Sequence, residues 1–384
     1  MALVVFIPDR YESRYSLLDA MAAEVATAFS TAGAEVNPTR PVRHGEPTLH
    51  LFFNLPQSLD QFLKWARPER PNSALVQFFV DHPLGLTVEF MDKVTTLPNY
   101  RLAMPCTDDR TLLATRWPTL RTMICGHGIP RAALCDPATI DAPRRDELLL
   151  SGTISTEDEV RALRDRVPEV LRSACDRAAT MLADEPSLSL VQSLDLTLPP
   201  TLFAGDYWRL IQVCSRHVVA AANRQRRLAM LRALQGLPVA VFGPPAWTEH
   251  CTGSIQYRCE VEYGTLAAEM ARSRAVLAWN PTQFTLGHSE RVLLSMAAGA
   301  ATLTDDRPSV RTQLGTSVAT HRSGDLADLR AQAERLLGDP AHAAQLAHAG
   351  RREAERAHLW EHRLQMIGSV VAEVLGRSTQ PGST

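Results

Sequence analysis

The stretch GHSERVLLSMAAGAATLTD, residues 287–305, predicts a loop, a helix, a tight turn and a strand in close succession. Ser289 is the expected N-cap, and Glu290 falls in the first helical turn, where the helix dipole favours an acidic side chain. The free N–H groups at such a helix start attract a diphosphate. A carboxylate there can also accept hydrogen bonds from a ribose diol, although capping alone would equally explain Glu290. The small residues around Gly299 let the helix end pack closely on the next strand.

Short, continuous apolar runs elsewhere predict two α/β halves. Such runs are expected for strands that are buried on both faces of a parallel sheet. They occupy residues 3–7, 49–53, 75–80, 102–104 and 122–125 in the first half and 148–150, 239–242, 275–279 and 300–304 in the second. A helix-spaced pattern from Leu17 to Phe29, stopped by Gly33, lies between the first two runs. The β-α-β succession predicts an open, doubly wound sheet.

These patterns predict two Rossmann-like domains that face a central cleft. Ligands of such folds bind at the carboxyl ends of the strands. The expected parts are an N-terminal acceptor-side domain over 1–140, a linker over 136–147, a C-terminal donor domain over 147–345 with a helical insertion at about 156–235, a C-terminal helix over 346–375 that packs back on the first domain, and a disordered tail over 377–384.

Composition narrows the class of protein. A net charge of −2 over 384 residues implies no broad basic surface, so nucleic acid is not an expected partner. No apolar run approaches the roughly 20 residues that span a bilayer, and residues 3–7 are too short for a signal-peptide core. Seven scattered cysteines indicate reduced thiols in a soluble, cytoplasmic protein. His250, Cys251 and Cys259 lack paired C-x-x-C spacing, so no metal site is expected.

Polar, turn-forming residues follow the predicted strands. In the first half these include Asp81-His82-Pro83 and Gly126-His127-Gly128; in the second they include Ser151-Gly152-Thr153, Gly243-Pro244 and Asn280-Pro281. A loop that follows a parallel strand must turn, so each position also has a purely structural interpretation. As a set, they are the expected lining of a cleft.

The stretch that begins at Gly287 resembles the nucleotide-sugar-binding segment of GT-B glycosyltransferases. It is most similar to the bacterial CgeB-like, spore-maturation type and to related polysaccharide or protein glycosyltransferases. The resembling segments are 150–153, 241–247, 261–263, 277–280, 288–305 and 349–363, and the resemblance covers about 147–370. One departure is Leu294, which stands where many GT-B enzymes have a glutamate that holds the ribose. Either Glu290, one turn earlier, takes that role, or the ribose is held in another way.

The resemblance implies transfer of a sugar from a nucleotide diphosphate sugar to an acceptor, without a metal or a cofactor. Negative charge grows on the leaving diphosphate, so cations and N–H donors must face it. Arg291 and the loop of Gly152 and Thr153 are the candidates. The rest of the expected donor-binding set is Gly243, Tyr263, Asn280, His288, Ser289, Glu290 and Gly299. For His288 and Tyr263, support of a neighbouring residue and core packing are the respective alternatives.

An inverting reaction also needs a general base from the first domain. His82 is the first candidate, with Asp81 to orient its ring, and His127 is the second. Two other functions fit the same segments: a GT-B-fold sugar-nucleotide epimerase, and a non-catalytic protein that binds a nucleotide sugar or a glycan.

Overall fold

A computed structural model describes residues 3–8, 11, 17–43, 45–54, 72–106, 108–203 and 207–378. The chain divides into two compact units. The first comprises residues 1–130 together with 358–384, and the second comprises 131–357. No helix in the described ranges is long and apolar enough to cross a membrane.

The first unit is built on a six-stranded parallel sheet in the order β2-β1-β3-β4-β5-β6. The strands are β1 (Val4–Phe6), β2 (Glu35–Val36), β3 (Thr48–Phe53), β4 (Ser73–Phe78), β5 (Tyr100–Met104) and β6 (Thr122–Ile124). Helices α1 (Leu17–Thr31), α2 (Val88–Val94) and α3 (Asp108–Arg116) connect them. β3, β4 and β5 are buried along their whole length, as continuous apolar runs predict.

The second unit has its own six-stranded parallel sheet, in the order β12-β11-β10-β7-β8-β9. Its strands are β7 (Arg145–Ser151), β8 (Val239–Phe242), β9 (Ile255–Tyr257), β10 (Ser273–Leu277), β11 (Ala301–Asp305) and β12 (Ala319–His321). Its helices are α4 (Glu157–Asp165), α5 (Glu169–Asp184), α6 (Leu190–Asp195), α7 (Trp208–Ala233), α8 (Tyr263–Arg272), α9 (Glu290–Ala297), α10 (Leu326–Gly338) and α11 (Pro340–Ala357). The strand order reverses between β7 and β10, which is where doubly wound sheets bind ligands.

Helices α4 to α7 all lie between β7 and β8, within the range predicted as a helical insertion. The linker predicted over 136–147 ends earlier than expected, because β7 already begins at Arg145. The first three residues of β7 are charged, so the apolar pattern did not include them in the predicted strand.

The single helix predicted over 346–375 is two helices, α11 and α12 (Trp360–Ser378). The chain is extended between them, because Ile129 N donates to His358 O at 3.0 Å and Trp360 N donates to Ile129 O at 3.1 Å. α11 belongs to the second unit and α12 to the first. Helix α12 includes residues 377 and 378, which were predicted to be disordered, and residues 379–384 lie outside the described ranges.

Trp360 anchors α12 in the core of the first unit. Its ring meets Phe53 and Phe78 edge-on, with centroids 5.9 and 5.6 Å apart. Gly128 makes this approach possible, because a Cβ at that residue would lie 2.7 Å from the Trp360 ring and 3.0 Å from its Cα. The neighbouring Gly126 has open space, with the nearest atom 4.0 Å away.

We predict that Gly128→Ala displaces the start of α12 and lowers the free energy of unfolding by about 1–3 kcal/mol, the usual range for overpacking. Gly126→Ala, two residues away, is the matched control and should change stability by less than about 1 kcal/mol. Urea unfolding followed by tryptophan fluorescence compares the two variants. Equal midpoints would contradict this account of the α12 anchor.

Candidate functional site

Two glycines shape the loop that follows β7, at the point where the strand order reverses. Gly152 has φ +144°, and a Cβ there would lie 2.5 Å from Arg291 Nη1 and 3.1 Å from Trp279 Nε1. A Cβ at Gly243 would lie 2.3 Å from Gly152 O. Trp247 stacks on Trp279, with centroids 5.7 Å apart, and donates from Nε1 to Gly152 O at 2.7 Å. Both glycines are therefore required by close packing around the β7 loop.

A fully buried carboxylate, Asp305, ties together the ends of β10 and β11 and helix α7. Its Oδ1 accepts hydrogen bonds from Asn280 N at 3.1 Å and from Asn280 Nδ2 at 2.9 Å. Its Oδ2 accepts from Arg226 Nη2 at 3.2 Å and from Arg307 Nε. Burial alone would raise the pKa of Asp305, but the Arg307 and Arg226 guanidiniums and His321 hold it well below its usual range.

Asn280 fixes the start of α9 rather than facing a ligand. Its Oδ1 accepts from Ser289 N at 2.7 Å, and its Nδ2 also donates to Thr304 Oγ1 at 3.0 Å. The residue is 4% exposed. Because its amide is used inside the protein, we reassign Asn280 from donor binding to positioning of α9.

The start of α9 leaves several hydrogen-bonding groups without a protein partner. Ser289 has the N-cap backbone conformation, but its hydroxyl makes no cap bond, which corrects the expected side-chain cap. Within the described residues, Ser289 Oγ, Arg291 Nε and Trp279 Nε1 are buried and have no hydrogen-bond partner. Such unpaired polar groups are rare in folded proteins, so they indicate a ligand or ordered water.

Four arginines surround this edge of the sheet. Arg226 and Arg307 bond Asp305, and Arg291 lies 3.5 Å from Glu290 Oε1 and 3.5 Å from Ser151 O. Arg227, on α7, donates to Thr153 O, and its guanidinium lies 5.2 Å from the Trp279 ring centroid. The sequence analysis missed Arg227. The available signal was its spacing three and four residues before Met230 and Leu231, which places an arginine on a buried helix face.

The remaining predicted donor-binding residues are not all brought together. Thr153 belongs to the β7 loop, and Gly243, which directly follows β8, packs against that loop. His288 comes one residue before the α9 cap. It is buried, and its Nε2 lies 3.2 Å from Gln313 Oε1. Tyr263 is half-buried at the start of α8.

Gly299 lies at the other end of α9, so its predicted contact with a donor is corrected. It has φ +70° after the helix, and a Cβ there would lie 2.5 Å from Cys135 Sγ and 2.9 Å from Ile140. An eight-residue helix is about 12 Å long. Gly299 therefore serves the turn into β11, where only a residue without a Cβ fits.

His82, Asp81 and His127 belong to the first unit. His82 caps a short 3-10 turn over Pro83–Gly85, and its Nδ1 accepts from Leu84 N at 3.2 Å. A neutral ring that accepts at Nδ1 carries its proton on Nε2. Asp81, predicted to orient this ring, accepts from Asn54 Nδ2 at 3.3 Å.

His127 occupies a packed position. The residue is 1% exposed, its ring lies 6.3 Å from that of Phe78, and its carbonyl oxygen accepts from Arg363 Nη2 at 2.9 Å. The glycine after it is the one that Trp360 covers. These contacts favour the structural interpretation of Gly126-His127-Gly128 over a catalytic one.

The described residues contain no group of three or more His, Cys, Asp or Glu side chains that could hold a metal ion. All seven cysteines are free thiols; Cys251 is half-buried against the core of the second unit, and Cys259 is exposed.

Two six-stranded parallel sheets with flanking helices define an α/β fold of the GT-B kind. The chain is similar to sucrose-phosphate synthase (tll1590) from Thermosynechococcus elongatus, with TM-score 0.54 and 11% identity over 98% of this chain and 100% of that chain. It is also similar to a glycosyltransferase from Rickettsia africae ESF-5, with TM-score 0.53 and 8% identity over 97% and 98% of the two chains.

Sequence similarity adds a match at the family level. Residues 224–368 match the family described as glycosyl transferase-like. That range begins on α7 and includes α9 and the strands on either side of it. No curated protein is detectably similar in sequence.

We predict that Gly152→Ala destabilises the second unit by about 1–3 kcal/mol, because the new Cβ meets Arg291 and Trp279 and the backbone conformation is strained. Gly338→Ala, at the open end of α10, is the matched control and should be neutral or stabilising by up to about 1 kcal/mol. Urea unfolding measures both variants. Equal stability of the two would show that the Gly152 loop is not closely packed.

Proposed function

We propose that this protein is a metal-independent glycosyltransferase of the CgeB-like type. In this proposal it moves a sugar from a nucleotide diphosphate sugar to an acceptor. The observation that carries the proposal is the set of unpaired donors at the start of α9. They lie where the strand order reverses, the usual ligand position in this fold. The glycosyl transferase-like match over 224–368 includes this helix start.

A diphosphate leaving group fits these donors. Its oxygens would accept from the N–H groups of Glu290 and Arg291 and from the Ser289 hydroxyl, as anions do at helix starts. The Arg291 guanidinium supplies positive charge where negative charge develops during transfer. Glu290 stays the candidate for the ribose diol, and the second unit is the donor domain in this proposal.

A thermal-shift panel of nucleosides, nucleoside mono- and diphosphates and nucleotide sugars tests the donor site. We expect diphosphates of one base to stabilise the protein, by about 2.7 kcal/mol at about 100 times Kd. Arg291→Met should weaken that binding by about tenfold or more, because it removes a charged hydrogen-bond donor. Arg311→Met is the control, since Arg311 is exposed and its guanidinium pairs with Asp306 at 2.8 Å.

Two results would count against the proposal. If no nucleoside diphosphate stabilises the wild-type protein, the start of α9 is not a donor site. If a nucleotide sugar binds but releases no nucleoside diphosphate with water or with any added glycan, the protein is a binding protein rather than a transferase.

His82 is the proposed general base of the first unit. To take a proton, Nδ1 must exchange its 3.2 Å bond from Leu84 N for the acceptor hydroxyl, and that bond is at the long end of the normal range. Asparagine can keep the cap of the 83–85 turn but cannot act as a base. His82→Asn therefore separates the two roles.

We predict that His82→Asn lowers turnover by about 10²–10⁴-fold, the usual contribution of a general base, while donor affinity and stability stay unchanged. The measurement is release of nucleoside diphosphate from the donor that the panel identifies. His342→Asn on α11 is the control. Full activity of His82→Asn would leave His82 as a capping residue only.

A further inference from the structure

We infer that Arg227 is a second cationic ligand of the donor diphosphate, held in position by the Thr153 carbonyl and the face of Trp279. The inference rests on the proposed function, because it assigns a residue to the same donor site. It assigns that role to a residue on α7, outside the loop and helix that the sequence motifs single out.

The position of Arg227 is fixed from two sides. Its Nη1 donates to Thr153 O in the β7 loop, and its guanidinium lies above the Trp279 ring at 5.2 Å. The residue is 9% exposed. A guanidinium stacked on an aromatic face and bonded to a loop carbonyl keeps one orientation, and the fork of N–H groups of such a guanidinium can bind two phosphate oxygens at once.

Arg227 has no carboxylate partner among the described residues. Its neighbour Arg226 is paired with Asp305, and no ion pair of Arg227 is formed. Burial, together with the adjacent charges of Arg291 and Arg226, lowers the pKa of Arg227 to about 9. A buried cation beside two other cations is unfavourable in the ligand-free protein.

The charges around Arg227 match a dianion. Among the described residues, the carboxylates paired with this group of four guanidiniums, those of Arg226, Arg227, Arg291 and Arg307, are Asp305 and Glu290. Two positive charges are therefore uncompensated. The diphosphate of a nucleotide sugar carries two negative charges, so its binding would relieve the repulsion between Arg227 and Arg291.

The test measures stability and anion affinity separately, with inorganic pyrophosphate and with the nucleoside diphosphate that binds the wild-type protein best. Arg227→Met should leave the ligand-free protein as stable as the wild type or more stable, because it removes an uncompensated charge. It should weaken the binding of both ligands by about 10- to 100-fold. Arg227→Lys should recover part of that affinity, and Arg216→Met, at an exposed position of α7, should change neither property.

A structural arginine would behave in the opposite way. The inference is wrong if two results occur together. Arg227→Met lowers the stability of the ligand-free protein or prevents its folding, and Arg227→Lys also lowers that stability. Unchanged affinity for both ligands in Arg227→Met would also overturn it. If pyrophosphate binding depends on Arg227 but no nucleotide sugar is turned over, the assignment of Arg227 stands and the proposed transferase activity fails.

Discussion

The buried carboxylate of Asp305 is the constraint on which the second unit's site depends. It is fully buried, and its four hydrogen bonds join the end of β11 to Asn280 after β10 and to Arg226 on α7. Asn280 in turn holds the backbone of Ser289, the residue before α9. Removing one partner of such a group leaves a charge buried and unpaired, at a cost of about 3–5 kcal/mol. The position of the α9 start therefore follows from a charge network beneath it.

The arginines at this edge divide into two kinds. Arg226 and Arg307 share the carboxylate of Asp305 and hold the scaffold. Arg291 pairs with Glu290 at 3.5 Å, whereas Arg227 has no carboxylate partner among the described residues. Natural proteins accept such local destabilisation where a ligand completes the site. The excess of guanidiniums over carboxylates at this edge gives the strongest physical reason for an anion at the start of α9.

Much of the fold follows from the sequence, because continuous apolar runs such as Leu49–Phe53 can only be buried strands. The strands β2, β9 and β12 were missed, because their sequences, Glu-Val, Ile-Gln-Tyr and Ala-Thr-His, contain no continuous apolar run. In the site, motif order alone predicted Gly152, Ser289 and Arg291 as donor-binding residues, and the structure places all three near the β7 loop and the start of α9. Asn280 and Gly299 were misassigned because sequence cannot distinguish a residue that supports a site from one that touches a ligand. Arg227 was missed because its partners, Thr153 and Trp279, are 74 and 52 positions away along the chain.

The extended passage from His358 to Trp360 makes the first unit discontinuous in sequence. All strands of its sheet come before residue 130, but Trp360, which packs in the core of that unit, comes only at the start of α12. On the ribosome, the amino-terminal sheet would thus emerge with an apolar face that α12 does not yet cover. More than 200 residues of the other unit must be synthesised before α12 is. A nascent chain of this design depends on the second unit folding promptly, or on a chaperone that shields the exposed sheet in the interval.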